Sequence, residues 1–409
     1  MRGVGAAAER VIGGTAVADE VDTAEDWGKK WHRRQEESLL AGVDERWRSH
    51  LALPKLTDML GRSHGTSSQV AVLVADLNGV GEQLRQIATG DDARARLMKA
   101  SAALHALGDQ LGRHLVATVV NALRLDETDT PVVQGFPLDL QFPLHVAEDG
   151  QARTWMLPVR PWVLAGDDLV LVCESRIAWS LAAAITEWLD ADDLADDDPR
   201  AVLEDLFTHR PTIGVGIAVV PVGYPLIRAH SLGQALCKHA KVNARQQLDS
   251  TGDPHHGIDW HRGEADPGAV IDHRARRLPT TLRPYVFARG DTETFGAFTQ
   301  QWLSDDTASL RGLGFTEHRS WSRSTLRDAA LQTPVDHKDL NSCPVGVALG
   351  SLNRARRIQG RQALRLPEVN PPVRAAFFAL DAIDLLDEHL QLIAQETDAT
   401  CWARLTEQG

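Results

Sequence analysis

An apolar run from Pro158 to Ala165 and a second from Leu169 to Cys173 are separated only by Gly166-Asp167-Asp168. Gly and Asp suit tight turns, so the two runs are expected to pair as a hairpin. Upstream, Val70 to Ala75 (VAVLVA) reads as a buried central strand ending at Asp76. After Leu77-Asn78-Gly79-Val80-Gly81, residues 82–123 are Ala- and Leu-rich and helical, with a break at Gly90-Asp91-Asp92. Residues 131–158, rich in proline, read as short irregular strands. Residues 175–189 form an amphipathic helix with Ser175 as its N-cap, Ile213 to Val220 a further buried strand, and 225–247 a last helix. The order β-α-β-β-α-β predicts an α+β, ferredoxin-like split unit. Its first strand and hairpin lie side by side, so Asp76, Asp167 and Asp168 converge.

With 409 residues the chain has room for two to three domains. Three segments are expected: a tail and helical stretch at 1–68, the α+β unit at 69–250, and a mostly helical region at 251–409. Residues 29–62 read as one or two amphipathic helices, 61–69 as a linker, and 373–396 as a final helix after Pro371-Pro372. The net charge of −13 argues against a surface that grips nucleic acid throughout. Most of it comes from Glu187 to Asp205, where nine acidic residues accompany one Arg. The four cysteines form no C-x-x-C pair, which speaks against a zinc ribbon or a disulfide framework. No apolar run is long enough to span a bilayer, and the opening MRGVGAAAERVIGG is a poor signal peptide. A cytoplasmic protein without a membrane partner is the expectation.

Like charges at short range repel, and a divalent cation removes that cost. Mg²⁺ is a hard ion held by one or two carboxylates plus nucleotide phosphates. Gly79 and Gly81 would let backbone N–H groups approach phosphates at a helix N-terminus. Lys241 and Arg245, four apart, share one helix face within reach of β- and γ-phosphates. Each feature has a plainer reading: a hairpin turn, a strand-to-helix turn, a solvated basic face.

Residues 70–250 resemble the palm shared by GGDEF diguanylate cyclases and the polymerase subunit of type III CRISPR complexes. Val-Ala-Asp76-Leu-Asn78-Gly79-Val-Gly81 is similar to the A-D-G-N-x-x-G strand of the latter. Leu164-Ala165-Gly166-Asp167-Asp168-Leu169 is similar to its GGDD hairpin, and Gly216-Ile-Ala-Val, Tyr224-Pro225-Leu226 and Ala240-Lys241 to its final strand and helix. The resemblance implies that Asp76, Asp167 and Asp168 are catalytic and, with the Leu77 carbonyl, hold two Mg²⁺ or Mn²⁺ ions. It further implies that Asn78, Gly79, Val80, Gly81, Lys241 and Arg245 bind a nucleoside triphosphate, ATP by preference. The implied activity is synthesis of a cyclic di- or oligonucleotide, with a role in bacterial antiphage defence. One palm holds one nucleotide, so a homodimer or a second palm-containing subunit is implied.

Two departures stand out. Ala165 replaces the first Gly of GGDD, and Leu77 replaces the Gly of A-D-G-N, where its side chain would crowd the nucleotide. The alternative is an inactive palm that binds nucleotide or serves as a structural subunit of an RNA-guided complex. A diguanylate cyclase proper is disfavoured because the hairpin lacks a Glu-Phe ending. The pairs Asp272-His273 and Asp336-His337 do not match the nuclease His-Asp order. His255, His256 and His261 read as a His-rich exposed loop in preference to a metal site. Arg354, Arg356, Arg357, Arg361 and Arg365 read as a solvated helix face, with an RNA or protein partner as the alternative.

Overall fold

The structure is a computed structural model describing residues 34–60, 68–128, 130–136, 140–149, 152–192, 194–277, 283–291, 294–297 and 299, together with 347, 350, 354 and 390–392. It is α+β. A six-stranded sheet is built from β1 (Gln69–Leu77), β2 (Val159–Ala165), β3 (Asp168–Glu174), β4 (Ile213–Pro221), β5 (His255–Arg262) and β6 (Tyr285–Ala288), in the order β6-β5-β4-β1-β3-β2. The contacts β4-β1, β1-β3 and β3-β2 are antiparallel, as the β-α-β-β-α-β order requires. Helices α1 (Val80–Ile87) and α2 (Ala93–Asn121) follow β1, broken at Gly90 as expected, and α3 (Ala178–Asp190) and α4 (Pro199–Leu206) precede β4. Helix α5 (Leu226–Thr251) then crosses back to β5, which runs parallel to β4, and α6 (Pro267–Arg277) precedes β6.

Side chains alternate between the two faces of a strand. On β1, Ala71, Leu73, Ala75 and Leu77 join the large core with α2 and α3, including Leu107, Leu111, Leu181 and Ile185. Val70, Val72 and Val74 face the other way, towards Ala229 and Cys237 of α5. The same parity divides β3: Leu169 and Leu171 join the large core, Val170 and Val172 the α5 side. Burial on both faces explains why β1 reads as an unbroken apolar run.

Several expectations give way. Residues 34–40 are helical, but Leu51–Ala52 is a strand parallel to Trp155–Met156, so no helix runs through to 62. The backbone of His50 and Ala52 accepts from Trp155 and Leu157, and Pro54 has no N–H with which to continue a helix. Ser175 is not the N-cap of the helix: it belongs to a 3₁₀ turn, Ser175–Ile177, that Glu174 caps by accepting from Arg176 N at 2.7 Å, and α3 starts after Ile177 with no side-chain cap. The histidines at 255, 256 and 261 lie on strand β5, not in an exposed loop. Tyr285–Ala288 is a strand where a helical pattern was expected. Gln391–Leu392 pairs with Gly135–Phe136, which breaks the helix expected at 373–396; apart from Leu390, the rest of that segment lies outside the described residues. So do Arg356, Arg357, Arg361, Arg365 and the Asp336-His337 pair, while Arg354 is exposed.

The acidic run is partly consumed by the fold. Asp190 contacts His256 at 3.0 Å and Arg289 at 3.5 Å; Asp192 pairs with Arg210 and Arg289, and Asp198 with Arg200 at 2.8 Å.

Candidate functional site

The parity of β1 also places Asp76 on the α5 face, and the parity of β3 does the same for Asp168. The two residues are directly opposite in register. Gly166, at φ 68°, supplies the left-handed backbone that the two-residue turn before Asp168 requires. Asp167 sits at that turn, and its carbonyl accepts from Leu77 N at 3.3 Å. Ala165 is the last residue of β2, paired with Asp168 as an ordinary strand residue. Like charges directly opposite on adjacent strands are unfavourable. Desolvation, then the charges of Asp76 and Asp167, push the Asp168 carboxyl above its ordinary value, with Lys241 opposing.

A cleft of about 620 Å³ is lined by Asp76 and Asp168 together with residues of α5, the 207–212 segment, Pro254 and His255. That volume is in the range of small-ligand sites. Of the expected residues, Asp76, Asn78, Gly79, Asp168, Lys241 and Arg245 line it; Asp167, Leu77, Val80 and Gly81 do not. Lys241 Nζ lies 2.6 Å from Asp76 Oδ2 and donates to Leu77 O at 2.9 Å. Gly214, opposite Asp76 on β4, makes this reach possible, because a Cβ there would overlap Lys241 Cγ.

The expectation that the Leu77 side chain crowds the nucleotide is overturned. Leu77 is 1% exposed and packs in the large core, on the face of β1 away from the cleft. Only its carbonyl reaches towards Lys241. Gly79 caps α1 in the left-handed conformation (φ 73°), and no protein atom comes within 4 Å of a Cβ built on Gly79 or Gly81. The space over this loop is therefore open. Val80 buries its side chain, which leaves its backbone as the part able to meet a ligand. Asn78 is committed to the scaffold: its Nδ2 donates to Thr212 Oγ1 at 3.0 Å and His255 O at 3.1 Å. Arg245 is exposed and pairs with Asp249 at 3.1 Å.

The cleft also contains residues that sequence reasoning missed: Lys238, His209, Arg210, Thr212 and Gln234. Lys238 was detectable, since it lies three before Lys241 and seven before Arg245 on the same helix stripe. The 209–212 segment carries no local motif, and only the fold brings it here. Cys237 lines the cleft too, donating to Gly214 O at 3.2 Å. Burial, then the nearby Asp76 charge, pushes its thiol up to about 12, so it is not a thiolate nucleophile at neutral pH.

Among the described residues, no three His, Cys, Asp or Glu side chains form a metal-holding group. His256 is buried, accepting from Ile213 N at 3.2 Å and contacting Asp190, so it is a structural residue. Two facing carboxylates and the Leu77 carbonyl are the groups that could hold a Mg²⁺ or Mn²⁺ ion, its shell completed by phosphate and water, once the Lys241 ammonium has left them. They do not make a cage for a bare ion.

No family model and no curated protein matches the chain. Solved structures of Csm1 do. The apo Csm1-Csm4 cassette has a TM-score of 0.37 at 11% identity, covering 79% of this chain and 37% of that one. The Csm1-Csm4 cassette in complex with cA4 gives 0.31 at 13%, with the same coverage. Csm1 in T.onnurineus gives 0.30 at 13%, covering 83% of this chain and 40% of that one. The chain thus spans about two fifths of the length of these proteins. No helix among the described residues is long and apolar enough to cross a membrane.

Proposed function

We propose that the chain is a metal-dependent nucleotidyltransferase that joins nucleoside triphosphates, ATP by preference, into a cyclic di- or oligonucleotide. The observation that carries this reading is the facing pair Asp76 and Asp168 in a cleft that Lys238, Lys241 and Arg245 of α5 also line. Asp76 and Asp168, with the Leu77 carbonyl, are the residues to hold Mg²⁺ or Mn²⁺, and Asp167 stands beside them. When bound, the metal would polarise the attacking 3′-hydroxyl and offset charge on the α-phosphate oxygens.

The chain's own contribution is binding and alignment. Lys238 and Arg245 neutralise the phosphates. The open Gly79–Gly81 loop admits them close to the backbone at the positive end of α1. Phe207, Val242 and Leu248 offer an apolar wall for a base. In the transfer the 3′-hydroxyl gives up its proton to water, its oxygen bonds to the α-phosphorus, the bond from that phosphorus to the α,β-bridging oxygen breaks, and pyrophosphate leaves. The attacking hydroxyl belongs to a second nucleotide, so a second copy of the chain or another palm-bearing subunit supplies it. A part in antiphage defence rests on the resemblance of the motifs alone.

The test is product analysis. Purified chain is incubated with each of the four nucleoside triphosphates and Mg²⁺ or Mn²⁺, and products are identified by mass spectrometry. The proposal expects a cyclic or linear oligoadenylate, abolished in D167A/D168A. Bound ATP without any product would favour the alternative, a nucleotide-binding subunit that does not turn over.

A further inference from the structure

A cation already sits at the carboxylates, and it belongs to the protein. The Lys241 ammonium contacts both Asp76 Oδ2 (2.6 Å) and Leu77 O (2.9 Å), two of the groups assigned above to a divalent ion. The position is built for it. The lysine stem crosses β4 at Gly214, where any Cβ would displace it, and the preceding turn of α5 is fixed to the same strand by Cys237 donating to Gly214 O. Both partners are partly withdrawn from water, with side-chain exposures of 26% for Lys241 and 31% for Asp76. An ammonium and a divalent cation cannot share that oxygen, because like charges at contact repel strongly.

We propose that Lys241 is a nucleotide-operated gate on the metal site: it occupies Asp76 in the free protein and is drawn off by the triphosphate, which releases Asp76 and the Leu77 carbonyl for the ion. This rests on the function proposed above and adds an order to it. The lysine has the flexible four-carbon stem needed to swing from carboxylate to phosphate, and the neighbouring Lys238 and Arg245 lie on the same helix stripe to receive phosphate first. Metal and nucleotide binding are then positively coupled, and by reciprocity each tightens the other. The free protein avoids carrying a bare ion between two carboxylates, and the shell closes only when phosphate oxygens are present.

The gate is read by Mn²⁺ binding, without turnover. Free Mn²⁺ is followed by electron paramagnetic resonance while it is titrated into the full chain, with and without α,β-methylene-ATP. Wild type is expected to bind Mn²⁺ weakly alone and about tenfold or more tightly with the analogue, within the usual span of coupling between sites. K241M, which keeps the stem over Gly214, is expected to bind Mn²⁺ alone about tenfold more tightly than wild type, with most of the coupling gone. K238M and R245M remove the same charge from the cleft but not from Asp76, and are expected to change Mn²⁺ affinity in the absence of nucleotide far less, while weakening the analogue itself. K241Q serves in place of K241M should the methionine variant fail to fold, as judged by circular dichroism. Equal Mn²⁺ affinity in wild type and K241M, or equal gains in K238M and R245M, would overturn the gate and leave the proposed function standing. No Mn²⁺ binding in any variant, with the analogue bound, would overturn both.

Discussion

Leu77→Ala separates two accounts of the site. If Leu77 takes the place of the family's glycine inside the nucleotide cleft, trimming it should improve nucleotide binding. The structure puts the side chain on the opposite face of β1, 1% exposed, among Leu73, Ala75 and the residues of α2 and α3. A buried Leu→Ala substitution costs about 2–5 kcal/mol, the loss of transfer energy plus the cavity left behind. Taking about 3 kcal/mol, and a urea dependence at the upper end of about 1–3 kcal/mol/M for a chain of this size, the unfolding midpoint should fall by about 1 M. Nucleotide affinity should barely move, because the Leu77 carbonyl that faces Lys241 remains in place. Urea unfolding followed by circular dichroism gives the first quantity, and a fluorescence titration with a labelled ATP analogue and Mn²⁺ the second. Affinity improved several-fold with an unchanged midpoint would refute the placement of this side chain and, with it, the parity argument that brings Asp76 and Asp168 together.

Two further outcomes follow from the buried polar groups. Asp259 is fully buried on β5, contacting Arg274 and, at 2.8 Å, His239. Arg274→Met should destabilise the chain by about 3–5 kcal/mol, since it strands a buried carboxylate, and a change below about 1 kcal/mol in urea unfolding would contradict that. His114, stacked on Trp188, over whose ring the Arg200 guanidinium also lies, is held below the ordinary histidine value of about 6.5, first by burial and then by the Arg200 charge. The unfolded chain therefore takes up the proton first, so this contribution to stability is complete above about pH 6.5 and is lost as pH falls below it. His114→Gln should lose less stability than wild type between pH 7.5 and 5.5; an equal loss would count against the assignment.

What was legible in the sequence was whatever depended on near neighbours. The turn at Gly166-Asp167-Asp168 and the alternation along β1 and β3 needed only local chemistry, and they led to the facing carboxylates. Strand β5 was hidden because its polar residues His256 and Asp259 are satisfied by Asp190, His239 and Arg274, at sequence separations no local pattern reports. Without those partners the stretch from Asp253 to His261 has the composition of a loop. The partners of the acidic run were equally hidden: Asp190 meets His256 and Arg289, and the exposed Asp192 meets Arg210 and Arg289, at separations no local pattern reports. Leu77 was misjudged by comparison with a family motif, and strand parity would have placed it correctly. Lys238 was passed over although its helix spacing from Lys241 and Arg245 was in plain view.

The central claim is that Asp76 and Asp168 together support phosphoryl transfer. Its most direct test is pyrophosphate release from ATP with Mg²⁺ or Mn²⁺, measured in wild type and in D76N and D168N, with nucleotide binding monitored in parallel. The account predicts release by wild type and its loss in each variant, by more than the roughly 10–100-fold that removing an outer-shell partner of a metal ligand costs. Release that survives both substitutions, or none from wild type while ATP is bound, would contradict it.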